Sequence, residues 1–88
     1  MIQKFFKIYP HDNNVEQYRL TLDMSQKELA QQVTALGRKR FGKNYTISKQ
    51  TINAIETHRY DASFGLMMLI AEVLKEERKT IFVFKDER

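Results

Sequence analysis

The spacing of apolar and polar positions changes period twice along the chain. Residues 2 to 9 mix Phe, Ile and Tyr with Lys at near-alternate positions and are closed by Pro10, the pattern of a short half-buried strand. Thr80-Ile81-Phe82-Val83-Phe84 at the other end has the same character. Such short strands are not stable alone, so a small terminal sheet is expected, formed by the two with each other, with the same segments of a second subunit, or both. Between them the period is helical. Val15, Tyr18 and Leu22 mark the inner face of a first helix beginning near Asp12 or Asn13. Ser25-Gln26-Lys27-Glu28 is a capping box that opens a second, with Leu29, Val33 and Leu36 inward. A third runs from Ser48 to about Thr57, and Ser63 caps a fourth whose nearly continuous apolar run, Phe64 through Leu74, must be largely buried. The fold expected is mainly α, four helices with a small terminal sheet.

The third helix divides its faces most clearly. Ser48 can accept a hydrogen bond from the first turn, and Ile47 can pack on Ile52, an N-cap with a hydrophobic staple. Ile52 and Ile55 point to the core, which leaves Lys49, Gln50 and Asn53, beside the small Ala54, on the opposite side. Gln and Asn can pair bidentately with adenine, Lys favours guanine O6 and N7, and Ala can meet a thymine methyl, so this face suits base edges in a DNA major groove.

Charge supports that chemistry by its distribution rather than by its size. The net charge is +4. Between Ser25 and Tyr60 stand Lys27, Arg38, Lys39, Arg40, Lys43, Lys49 and Arg59, against Glu28 and Glu56 alone. Arg38, Lys39, Arg40 and Lys43 lead into the third helix and are candidates for phosphate contact. Beyond Glu72 the charges roughly balance, as on an ordinary solvated face. Phe41 and Tyr45 lie among the basic residues and are expected to anchor the loop to the core rather than to stack on bases. Met67 and Met68 read as core or dimer contacts.

Other function classes fall away. The 88 residues fit one domain, 1–88, and the absence of Cys excludes disulfides, thiolate metal sites and a Cys nucleophile. A chain this short buries only about 60 to 65% of its unfolded surface, so dimerisation would help it. His11-Asp12 and His58 are the only imidazole positions and have no third ligand at metal spacing. No Gly-rich phosphate loop or catalytic triad is present, so neither an enzyme, a metal nor a cofactor is expected. Lys4 and Lys7 interrupt the apolar N-terminus, which is therefore not a signal peptide, and no run is long enough to span a membrane. A cytoplasmic protein, associated with the nucleoid through DNA, is expected.

Three motifs in order, Ser25-Gln26-Lys27-Glu28-Leu29-Ala30, Ile47 to Glu56, and Arg59-Tyr60-Asp61-Ala62-Ser63, resemble the phage lambda repressor-like (XRE) helix-turn-helix family over about residues 15 to 74. The resemblance implies a bundle of four to five helices whose third enters the major groove, and dimers on palindromic operators. Carried over, Lys49 and Gln50 would read bases, with Asn53 and Ala54 one turn on. Gln26 would meet a phosphate or base edge. Arg59 and Tyr60 match the loop that grips the backbone, to which Ser48 and Thr51 can add hydrogen bonds. Arg19 and Glu56 match a buried ion pair of structural role.

The departures are specific. About twelve extra residues, near Thr34 to Tyr45, stand where the family has a tight turn, so the second helix is expected to run toward Arg38 or Arg40, with Gly42-Lys43-Asn44 as a loop. The POU-specific domains, which share this scaffold, also lengthen this region, though by less. Asp61-Ala62 lacks the usual Pro, and His58 replaces a common Gly. The resemblance implies a sequence-specific double-stranded DNA-binding transcriptional regulator, a homodimeric repressor that occludes a promoter. An antitoxin that binds DNA and a toxin is the alternative, and a protein-interaction module that has lost DNA binding is a second class. In either of the first two, Phe6, Ile8, Ile81, Phe82, Val83 and Phe84 are candidate subunit contacts.

Overall fold

The computed structural model describes residues 13–83, which form five helices in the order α1 (Val15–Thr21), α2 (Gln26–Phe41), α3 (Lys49–Glu56), α4 (Phe64–Val73) and α5 (Arg78–Ile81). Three starts carry a serine cap. Ser25 Oγ accepts from Glu28 N at 3.0 Å while Glu28 Oε1 accepts from Ser25 N at 2.8 Å, a complete capping box. Ser48 Oγ accepts from Thr51 N and Ser63 Oγ from Leu66 N, each at 3.2 Å. α4 is apolar on nearly all sides because it lies at the centre, with Leu66, Met67, Leu69, Ile70 and Ala71 all buried. Leu29 and Val33 of α2, Ile52 and Ile55 of α3, and Val15 of α1 complete one core around it.

Three helices end alike. After α1, α3 and α4 the chain passes through Asp23 (φ 57°), His58 (φ 63°) and Lys75 (φ 64°), all in the left-handed region. In each, the next N–H reaches back to the helix: Met24 N to Arg19 O at 3.1 Å, Arg59 N to Ala54 O at 2.8 Å, Glu76 N to Ala71 O at 3.0 Å. These are Schellman motifs built without glycine. His58 thus adopts the backbone that the glycine common at this position would adopt.

Several expectations need correction. α1 begins at Val15 rather than at Asp12 or Asn13. Leu22 is not on its inner face but 40% exposed, because the helix has already ended at Thr21 and the turn through Asp23 swings it out. The buried place on α1 goes to Arg19 instead, which is 7% exposed. Among the described residues there is no sheet. Thr80 and Ile81 belong to the helical turn α5, and Phe82 makes only an isolated antiparallel bridge to Asn13. The reason is local: Thr80 N bonds Glu77 O at 3.0 Å and Phe82 N bonds Arg78 O at 2.7 Å, so these donors are spent within the turn. That turn rolls Ile81 and Phe82 inward, and both are completely buried in the chain's own core. They are not surface for a partner; Val83 is half-buried. The expected strand at 2–9, with Phe6 and Ile8, and Phe84 lie outside the described residues.

Two asparagines join the ends of the bundle. Asn14 Nδ2 donates to Thr80 O at 3.0 Å and Asn14 N to Ile81 O at 2.8 Å, while Asn13 Nδ2 donates to Ile55 O at 3.1 Å. The first and last described segments are thereby tied to each other and to α3.

Candidate nucleic-acid interface

α3 is held in place by a network beneath it. Arg19 Nε donates to Glu56 Oε2 at 2.7 Å and Arg19 Nη2 to Glu56 Oε1 at 3.0 Å, a bidentate pair whose side chains are 8% and 3% exposed. The remaining Arg19 amine donates to Met24 O at 2.8 Å. The hydrogen bond to Glu56 raises the Arg19 pKa above its ordinary value, against the opposing effect of burial. Gln26 Nε2 donates to the same Glu56 Oε1 at 2.9 Å. One carboxylate at the end of α3 therefore fixes α1, the start of α2 and α3 together. Gln26 keeps one N–H and its carbonyl oxygen for an outside partner.

The approach to α3 is the long segment where the resemblance has a tight turn. α2 continues through Arg38 and Arg40 to Phe41, and Gly42 turns the chain at φ 114°, ψ 160°, a conformation that only glycine adopts readily. Tyr45 then folds back on α2. It takes the place that a side chain on Gly37 would fill, so Gly37 is buried in mid-helix with Tyr45 over it. Burial pushes the Tyr45 phenol pKa up. Thr34 Oγ1 donates to Ile47 O at 3.1 Å and accepts from Ile47 N at 2.9 Å, a two-way clamp one residue before the Ser48 cap. Arg38 adds Nε to Tyr45 O at 2.9 Å and Nη2 to Thr46 Oγ1 at 3.2 Å. The entry to α3 is thus fixed by side chains of α2 rather than by a short turn.

On the outer face, Gln26, Lys49, Gln50, Asn53, Ala54 and Arg59 line one shallow groove. Lys49 and Gln50 are exposed; Asn53 and Ala54 are half-buried. Arg59 arches back over the end of α3, with Nη2 donating to Asn53 Oδ1 at 2.8 Å and Nε to Thr57 Oγ1 at 3.0 Å. Tyr60 follows, about half exposed. Ser48 and Thr51 hydroxyls stand 3.2 Å apart at the head of the helix. The basic segment does not act as one patch. Arg38 commits Nε and Nη2 to the loop but stays exposed with Nη1 uncommitted, and Arg40 Nη2 pairs with Glu72 Oε2 of α4 at 2.7 Å, which holds the Glu72 pKa below its ordinary value. Lys39 and Lys43 are exposed and have no ion-pair partner among the described residues.

Sequence reasoning missed two of these residues and one contact. Gly37 carried a usable signal, since a glycine inside a helical pattern marks a close approach. Thr34 and the hold of Arg59 on Asn53 carried none, because each depends on a loop path that spacing does not fix. Among the described residues there is no cluster of three or more His, Cys, Asp or Glu that could hold a metal ion, and no helix long and apolar enough to cross a membrane.

A capped helix with a polar outer face, braced end-on by a second capped helix within a small α-helical bundle, defines the class of helix-turn-helix proteins. Comparison agrees: the chain is 32% identical over 75 residues to an uncharacterized HTH-type transcriptional regulator of Methanocaldococcus jannaschii, a match covering 85% of this chain and 96% of the relative. The chain belongs to the HTH-type transcriptional regulators. No family model and no solved structure matches it.

Proposed function

We infer that the protein is a sequence-specific double-stranded DNA-binding transcriptional repressor of the lambda repressor-like type, with a lengthened α2 and turn of the kind seen in POU-specific domains. The observation that carries this reading is the convergence of Gln26, Lys49, Gln50, Asn53, Ala54 and Arg59 on one groove at the face of α3. All but the small Ala54 can donate hydrogen bonds, and no carboxylate lies among them, which suits base edges and phosphates. Lys49 and Gln50 read bases near the start of α3, with Asn53 and Ala54 one turn on. Gln26, Ser48, Thr51, Arg59 and Tyr60 position the helix against the backbone, and Lys39 and Lys43 add long-range attraction.

The protein acts as a homodimer on a palindromic operator, its two α3 helices about one DNA turn, about 34 Å, apart. With Ile81 and Phe82 buried, the face that suits a second subunit is formed by Phe41, Phe64 and Met68, which are 57%, 56% and 45% exposed. Occlusion of a promoter is the mechanism that needs least beyond the binding module. Selection of bound sequences from random duplexes tests the reading: recovery of a palindrome with half-sites one turn apart supports it, and recovery of no consensus overturns it.

A further inference from the structure

A second groove opens beside the first. Its floor is Ala30, Ala35 and the half-buried Ile47, and its rim carries Lys27, Arg38 and Lys49, with no carboxylate anywhere in its lining. Lys49 borders both grooves, so the two form one continuous surface running from the face of α3 along the outer side of α2. Lys27, Gln31, Thr34 and Arg38 follow one another at helical spacing on that side. An amphipathic polyanion is the complement of such a surface, because deoxyribose carbons can lie on the alanines and Ile47 while phosphates meet the cations and Gln31.

We propose that this groove holds the sugar–phosphate backbone of one DNA strand outside the base-contacted half-site, so that the protein grips flanking DNA whose sequence it does not read. The proposal rests on the regulator reading above and adds a contact to it. From Lys27 to Arg38 an α-helix rises about 16 Å, and because successive phosphates of one strand are separated around the duplex as well as along its axis, the row spans on the order of two or three of them. The phosphate grip thereby moves from the cluster as a whole to Lys27, Gln31 and Arg38. Arg40, paired with Glu72, and Lys39 and Lys43 contribute only at long range.

The test uses the full chain with the selected operator in two lengths, the palindromic core alone and the same core with roughly five arbitrary base pairs added at each end. Wild type is expected to bind the longer duplex more tightly and with a steeper salt dependence. Lys27→Ala should remove about 1.8 from the slope on the longer duplex, about 0.9 for each of the two subunits, leave the short one unchanged, and keep the same base preferences. Lys27→Arg should restore the difference. Lys27 is exposed in the first turn of α2, so the variant is expected to fold. Equal affinity and slope of wild type on both lengths would overturn the proposal while leaving the regulator reading intact. Equal losses for Lys27→Ala on both lengths would overturn it too, by placing Lys27 on the core site. A wild type that prefers no sequence would instead remove the regulator reading, and this proposal with it.

Discussion

The ring of Tyr45 occupies the space that a side chain on Gly37 would need. This one contact lets a long connection deliver α3 as firmly as a short turn would, because it pins the loop eight residues beyond the glycine, just ahead of the Thr34 clamp on Ile47. A Cβ at position 37 would overlap Cδ2 and Cε2 of the ring. Gly37→Ala is therefore expected to destabilise the fold by about 1–3 kcal/mol, as overpacking does. Tyr45→Ala should weaken it too, but the double variant should lose less than the sum, since the second change removes what the first collides with. Thermal or denaturant unfolding of the four proteins measures this; simple additivity would show that ring and glycine do not meet.

The same burial makes stability depend on alkaline pH. It holds the folded Tyr45 pKa above the ordinary 10.0. A raised acid favours the protonated folded state, so this contribution is fully present below about pH 10 and is lost as pH rises through the folded value. Tyr45→Phe should flatten that part of the profile. Unfolding midpoints across the alkaline range, read for wild type and variant, check the difference; parallel profiles would assign the loss to other groups.

Non-glycine residues at three Schellman positions leave stability unused. Left-handed backbone costs an L-residue about 1–2 kcal/mol, part of which glycine gives back as chain entropy. His58→Gly and Lys75→Gly are each expected to stabilise by about 0.5–1 kcal/mol, and Asp23→Gly by less, because Asp tolerates this region better. A domain of this size gains about 4–8 °C in Tm per kcal/mol. Scanning calorimetry of the three variants gives the order; a destabilising His58→Gly would mean that the imidazole makes a stabilising contact of its own.

Much of the fold was legible because its helices obey local rules. Ser25, Ser48 and Ser63 each sit before a helical period and each caps a helix. Leu29, Val33, Ile52 and Ile55 fall on one core because their spacing puts them on one face. The apolar run of α4 reads correctly as a central element. The errors cluster where period and context conflict. Thr80 to Phe84 has strand composition, yet four residues suffice for a helical turn once Phe82 has a core to enter. The groove residues were legible as a set because helix geometry alone assigns Lys49, Gln50 and Asn53 to one side. Their constraints were not, because Gln26 on Glu56 and Arg59 on Asn53 join residues 30 and 6 positions apart through the tertiary path.

Burial and exposure separate the roles of the C-terminal aromatics and α4. Phe82 is completely buried, so Phe82→Ala is expected to cost about 3–5 kcal/mol as a core deletion. Met68 is exposed, and Met68→Glu should leave the helical fold intact by circular dichroism while shifting the protein from dimer to monomer in sedimentation. A dimer that persists in Met68→Glu would move the interface away from the face of Phe41, Phe64 and Met68.

The hold of Arg59 on Asn53 makes a prediction about base choice. To read adenine bidentately, Asn53 must accept from N6 with Oδ1 and donate to N7 with Nδ2. In this structure Arg59 Nη2 already donates to Oδ1 at 2.8 Å and is itself steadied by Thr57, so one lone pair of the amide oxygen is taken while the N–H groups of Nδ2 have no acceptor among the described residues. Such donors favour the acceptors of guanine or thymine. Arg59→Ala frees Oδ1, and the preferred base opposite Asn53 should move toward adenine, while the base opposite Gln50 stays as it was. Gln50→Ala should do the reverse: a loss of about 1–3 kcal/mol at its own base and no change opposite Asn53. Selection from random duplexes with each variant reads both positions at once. If Arg59 only grips a phosphate, its removal will lower every affinity alike and leave both preferences untouched, and the bond to Oδ1 will have no bearing on specificity.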